Sequence, residues 1–216
     1  MSLESLRPKI QWILTPVARF FSKLPVGPNF WTVMSLFCAL GAGVAFAFGQ
    51  PLLGVILVVL NACLDVLDGG LARYMQIASP LGDYLDHVFD RYADSFIVIG
   101  ILVWGMQTWT CPVPSWVIGI VAITGVLLSS YLGTQAQAVG MKRNYGGVLG
   151  RADRLILLIV FGIAEFVYPA NVLFGLSFLG WLLVIYGILG HITAVQRFAS
   201  GVCELRKMEK EKEKKE

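Results

Sequence analysis

DVLDGGLARYMQIASPLGDYLDHVFD, residues 65–90, places Asp65, Asp68, Asp83, Asp86 and Asp90 beside Arg73 and Arg91 in a chain that is otherwise mostly apolar. Ionised groups at membrane depth are expensive and are retained where they face a polar cavity and do chemistry or transport. Asp65 and Asp68 stand three apart, Asp86 and Asp90 four apart. Each pair therefore projects from one face of its helix. If the two helices pack antiparallel, four carboxylates converge, and they would repel strongly in a low dielectric. A hard divalent cation resolves that repulsion. An all-oxygen donor set without a His or Cys cluster points to Mg²⁺ or Mn²⁺.

Around this stretch the composition is that of a membrane protein. The 216 residues are 56% hydrophobic and 14% charged, with a mean hydropathy of +0.71, whereas soluble domains carry roughly 25% charge. Six apolar runs near spanning length are read at 30–48, 51–73, 82–107, 115–139, 152–168 and 171–198. Before them, Leu3, Leu6, Ile10, Leu14, Val17, Phe21 and Leu24 recur at helical intervals among Arg7, Lys9, Arg19 and Lys23. That pattern predicts an interfacial amphipathic helix kinked at Pro16, not a signal peptide, because it has no uninterrupted apolar core. The expected organisation is an interfacial helix over 1–24, a membrane domain over 25–200 and a charged cytoplasmic tail over 201–216, read as a frayed or disordered extension of the sixth helix.

Charge orients the chain. The connections at 50–51, 109–114 and 168–170 lack Lys and Arg, and all 17 basic residues fall at the opposite ends of the runs. The positive-inside rule then places both termini, and the aspartate stretch, on the cytoplasmic side of the cell membrane. A net charge of +3 gives no footprint for nucleic acid. Cys38, Cys63, Cys111 and Cys203 form no CxxC pair, so neither a disulfide framework nor a zinc site is expected.

Written as a pattern, the stretch is Asp65-x2-Asp68-Gly69-x2-Ala72-Arg73-x8-Gly82-x3-Asp86-x3-Asp90. At all eight positions it resembles the signature of the CDP-alcohol phosphotransferase family of integral membrane enzymes. The resemblance implies an all-α membrane fold of six transmembrane helices plus the interfacial helix, a homodimer, and displacement of CMP from a CDP-linked lipid by an alcohol. It places Asp68, Gly69, Ala72, Arg73 and Gly82 at the CDP part of the substrate. Asp65, Asp68, Asp86 and Asp90 become the metal ligands, with Asp90 as ligand or as catalytic base. Arg73 supplies the cationic fork that a pyrophosphate needs, or alternatively snorkels at a helix end. Asn29 and Thr32, in the similar entry Pro28-Asn29-x-x-Thr32, either contact a phosphate at a helix N-terminus or cap the helix.

Gly150-Arg151-Ala152-Asp153-Arg154-Leu155 after Ser130-Tyr131 is similar to the branch that transfers to inositol phosphate. That resemblance implies CDP-diacylglycerol or CDP-archaeol as donor. It makes Arg154 and Arg197, with Lys142 and Arg151, candidates for holding the acceptor phosphate. The chain departs from the branch at Leu132, Gly133, Thr134 and Gln135, where a basic pair is usual. Glycerol 3-phosphate, serine or another alcohol therefore stay open as acceptors. Outside this chemistry, the competing readings are an ion-coupled membrane transporter and a catalytically inert lipid-binding scaffold. All the carboxylates lie toward one membrane face and no second half repeats the pattern, which opposes the first; none of the signature aspartates is lost, which opposes the second. Asp83 and Asp94 continue the carboxylate stripe outside the signature, and are read either as taking a direct part or as partners of Arg91, Arg73 or polar groups of the fourth helix. His87 is read as facing off that stripe, and His191 as a hydrogen-bonded core histidine.

Overall fold

The structure, a computed structural model, describes residues 15–142 and 144–213. Six long helices account for most of them: α1 (Pro28–Ala47), α2 (Pro51–Tyr74), α3 (Pro80–Thr108), α4 (Ser115–Ala138), α5 (Arg151–Val167) and α6 (Phe178–Glu213). A helical segment over 15–21 precedes α1. It is the described part of the amphipathic helix expected over 1–24; the part over 1–14 lies outside the described residues, as does Arg143. No strand occurs among the described residues. Proline opens α1, α2 and α3, where its fixed φ suits a helix and its missing N–H costs no hydrogen bond.

Four of these helices, α1, α2, α4 and α6, are long and apolar enough to cross a membrane, and the protein is a multi-pass membrane protein. The other two expected spans differ for identifiable reasons. α3 carries Asp83, Asp86, Asp90, Arg91 and Asp94 in its first half. α5 has 17 residues, or about 26 Å at 1.5 Å per residue, shorter than the roughly 30 Å hydrocarbon core.

The chain divides into two compact units, one through Ile101 and one from Leu102 on. In the first, α1 packs along α2, and the buried Asn61 amide donates to the Ser35 carbonyl at 2.9 Å. α1 also meets α3 at backbone contact: a Cβ on Gly100 would lie 2.0 Å from the Gly43 carbonyl oxygen. Only glycine permits that approach.

In the second unit, α4 and α6 cross just as closely, since a Cβ on Gly190 would fall 2.8 Å from the Gly125 carbonyl carbon. The Tyr186 hydroxyl donates to the Arg154 carbonyl and so ties α6 to α5. His191 lies 3.3 Å from the Thr124 hydroxyl, the hydrogen-bonded role expected of it. α6 starts later than its apolar run predicts. Residues before it form a small turn closed by a Leu173–Leu176 bridge, with Gly175 at φ 72°. The charged tail is helical through Glu213, a correction to the frayed extension expected; opposite charges three residues apart, as in Glu209 with Lys212 and Lys210 with Glu213, favour helix.

Glu165 has a structural task. Its carboxylate accepts the Leu179 N–H at 3.0 Å, while Ser177 Oγ accepts from the Trp109 indole at 3.1 Å and from the Gly180 N–H at 3.4 Å. Together they satisfy amides of the first turn of α6 that have no partner within the helix. Glu165→Ala is expected to cost about 1–2 kcal/mol, seen as a Tm roughly 2–8 °C lower in detergent. Glu165→Gln, which keeps the acceptor oxygen, should recover most of the loss; an unchanged Tm for the alanine variant would refute the capping role.

Candidate active site

The aspartate stretch folds as predicted into the end of α2, a turn and the start of α3. The turn contains Gln76 at φ 57°, and Ser79 accepts the Gly82 N–H at 3.2 Å to begin α3. A cavity of about 780 Å³ opens there, within the range of small-molecule sites. Asp65, Asp68, Gly69, Ala72 and Arg73 line it from α2, Gly82 and Asp86 from α3, and Asn29 and Thr32 from α1. The structure thus brings seven of the eight signature residues to one cavity. The eighth, Asp90, lies one turn further along α3, buried at 5% exposure. Ligand atoms of Asp86, His87 and Asp90 lie within 4.8 Å of one another.

His87 therefore belongs with the carboxylates, which corrects its expected position. Nδ1 is 3.7 Å from Asp86 and Nε2 is 3.8 Å from Asp83. The ring spans both because Asp83 is one turn back and Asp86 is the preceding residue. Arg91 lies 3.4 Å from Asp90 and 4.0 Å from Asp94, the partnership that is one of the two readings of Asp94. Neither Asn29 nor Thr32 caps α1, whose N-cap Gly27 has no side-chain hydrogen bond. The Thr32 hydroxyl instead donates to the Pro28 carbonyl at 3.3 Å. Sequence reasoning passed over Thr15, Ala18, Tyr74 and Ser79, which also line the cavity. Only the helix boundary signal at Ser79, a residue before Pro80, was available for any of them.

Two observations fit the residues to a metal and a nucleotide. Asp68 is 5% exposed, and its Oδ2 is buried with no hydrogen-bond partner, a costly state for a carboxylate oxygen unless a cation completes it. With Asp65 and Asp86 beside it, the carboxylate oxygens that line the cavity suit Mg²⁺ or Mn²⁺. The second observation concerns glycine. A Cβ on Gly69 would approach nothing closer than the Arg73 guanidinium at 3.6 Å, and one on Gly82 nothing closer than Asn29 and Ser79 at 3.5 Å. Protein packing does not demand glycine at these positions, in contrast to Gly43 and Gly100. What a methyl would take is cavity space.

The family model for CDP-alcohol phosphatidyltransferases matches residues 26–195. The chain belongs to the CDP-alcohol phosphatidyltransferase family. As a member it is a phosphatidyl-transferring membrane enzyme, and the cavity just described contains the family's signature. Archaetidylinositol phosphate synthase of Methanothermobacter thermautotrophicus is 26% identical over 90% of this chain and 91% of its own length. Phosphatidylinositol phosphate synthase of Mycobacterium tuberculosis, solved with CDP-DAG bound, shares the fold at a TM-score of 0.75, with 24% identity over 88% of this chain and 93% of that one. The same mycobacterial enzyme solved with manganese and citrate also gives a TM-score of 0.75, at 23% identity over 87% and 88% of the two chains.

In the second unit of this phosphatidyltransferase, Arg154 and Arg197 come together on α4. Arg154, 5% exposed, donates to Ser129 Oγ at 3.2 Å and Ser130 Oγ at 3.3 Å. Arg197 donates to the Ser129 carbonyl and, through Nε, to the Gly146 carbonyl at 2.7 Å. These acceptors are neutral oxygens, and they orient the two guanidinium groups. A side chain at Gly133 would crowd Arg197, its Cβ lying 3.0 Å from Nη1. The small residue in the departing stretch of α4 thus gives Arg197 its place. Lys142 and Arg151 are exposed and stand outside this Ser129-centred pair.

Proposed function

We propose that this enzyme transfers the phosphatidyl or archaetidyl group of CDP-diacylglycerol or CDP-archaeol to a hydroxyl of inositol phosphate, releasing CMP. The observation that carries the acceptor assignment is the convergence of Arg154 and Arg197 on Ser129, two cations set by neutral oxygens as a phosphate fork. The names of the relatives support it as well.

Asp65, Asp68 and Asp86 would hold the divalent cation, with Asp90, whose carboxylate lies within 4.8 Å of Asp86, as a further ligand or as the base. When bound, the cation screens the pyrophosphate charge and polarises the β-phosphorus. Arg73 binds the pyrophosphate from the cavity rim, while Gly69, Ala72 and Gly82 leave room for the cytidine, with Asn29 and Thr32 at the phosphate end. Asp90 takes the proton from the acceptor hydroxyl. The acceptor oxygen forms its bond to the β-phosphorus as the bond from that phosphorus to the bridging oxygen breaks. The bridging oxygen leaves with CMP. Arg154 and Arg197 hold the acceptor's phosphate, and the exposed Lys142 and Arg151 add positive potential that draws in an anionic acceptor.

The same reading has six spans, α3 and α5 included, with both termini and the active site facing the cytoplasm of the cell membrane, in a homodimer. The positive-inside distribution supports that orientation. The deciding assay is CMP release by purified protein with Mg²⁺ or Mn²⁺ and either CDP-lipid, across inositol 1-phosphate, glycerol 3-phosphate, serine and free inositol. Inositol 1-phosphate is expected to support the fastest release. A faster reaction with glycerol 3-phosphate or serine would overturn the acceptor assignment and leave the donor chemistry standing.

A further inference from the structure

The loop between α4 and α5 is fastened to α6 along its length. Thr193, Gln196, Arg197 and Ser200 lie at i, i+3, i+4 and i+7, one face of α6, and each makes a hydrogen bond to the loop. Thr193, fully buried, accepts the Leu149 N–H through Oγ1 at 2.9 Å. The Gln196 carbonyl oxygen accepts the Val148 N–H at 3.1 Å. Ser200 Oγ accepts from the Asn144 amide at 2.7 Å. The Asn144 carbonyl oxygen side of the same amide accepts the Gly146 N–H at 2.9 Å, which turns the loop. Gly147, at φ 120°, lies against Thr193, where a Cβ would fall 2.4 Å from the methyl group.

These bonds converge on one carbonyl. Gly146 stands between the Asn144 turn and the Val148 and Leu149 anchors, and its oxygen holds Arg197 Nε. With the Ser129 carbonyl on the other side, it sets the plane of the guanidinium. Bidentate recognition of phosphate depends on that plane. The geometry points to Thr193 and Gln196 as positioning residues for the acceptor phosphate: they hold the 144–150 loop so that its Gly146 carbonyl orients Arg197. This rests on the reading of Arg197 as an acceptor contact, and it adds residues that touch neither substrate nor Arg197 directly.

The test compares Thr193→Val, Gln196→Leu, Thr193→Ser and Arg197→Gln in steady-state CMP release, with donor and acceptor varied separately. Thr193→Val and Gln196→Leu should each raise KM for inositol 1-phosphate roughly tenfold, with KM for the CDP-lipid unchanged. Thr193→Ser, which restores the hydroxyl, should return the acceptor KM to near the wild-type value. Gln196 is exposed, so its variant keeps the test informative if the buried Val variant folds poorly. An acceptor KM that moves in Arg197→Gln but in neither Thr193→Val nor Gln196→Leu overturns this inference alone. So does a parallel change in both KM values. An acceptor KM unmoved by Arg197→Gln overturns the acceptor reading itself, and the positioning role with it.

Discussion

Asp90→Asn is expected to lower CMP release by roughly 10²–10⁴-fold while the protein still binds CDP-lipid. Asparagine matches aspartate in shape and can still accept a hydrogen bond from Arg91, which lies 3.4 Å away, so the 5%-exposed site keeps its packing. What disappears is the basicity needed to take the acceptor's proton. Donor binding persists because Asp65, Asp68, Gly69, Ala72, Arg73 and Gly82 line the cavity, whereas Asp90 lies a turn beyond it on α3. The measurement pairs single-turnover CMP release with equilibrium binding of labelled CDP-diacylglycerol. Turnover within a fewfold of wild type would remove Asp90 from the role of base. Loss of binding together with turnover would make it a metal ligand first.

The second large effect separates two uses of glycine. Gly100→Ala puts a methyl 2.0 Å from the Gly43 carbonyl oxygen and 2.7 Å from its Cα, so α1 and α3 must part by more than about 1 Å. Backbone atoms cannot swing aside as a side chain can, and the cost is about 3 kcal/mol or more. Low yield, aggregation on size exclusion and a reduced Tm are expected. Gly69→Ala should behave in the opposite way, because its new methyl meets only Arg73 at 3.6 Å or beyond. It should fold normally, with a Tm near wild type, and lose affinity for the CDP-lipid, whose space the methyl takes. A well-folded Gly100→Ala would refute the close α1–α3 crossing. An unaltered donor KM in Gly69→Ala would show that this side of the cavity is not where the nucleotide sits.

Much of the candidate site was legible in the order of residues, for a physical reason. Periods of three and four along a helix place carboxylates on one face regardless of what surrounds the helix, so the facing of Asp65 with Asp68 and of Asp86 with Asp90 needed only the spacing. Apolar runs are equally self-sufficient: the first five helices begin and end within about two residues of the runs that predict them. The sixth does not, because hydropathy cannot distinguish an apolar turn such as 171–177 from an apolar helix, nor report where a charged helix stops. His87 was misplaced because a face argument counts turns within a helix and neglects the reach of a ring toward the residue beside it.

The sequence by itself determined the membrane class, the helix order, the charge asymmetry and the aspartate signature, each of which is local or periodic along the chain. Tertiary structure decided which glycines are required by packing, since nothing in the order of residues marks Gly43 and Gly100 until a neighbouring helix is brought up to them, whereas Gly69 already stood out in the signature. It also decided the meeting of Arg154 and Arg197, which are 43 positions apart. They share Ser129 only because α5 and α6 both pack in the unit that α4 belongs to, and contacts of that range come from helix packing, not from any pattern within one helix.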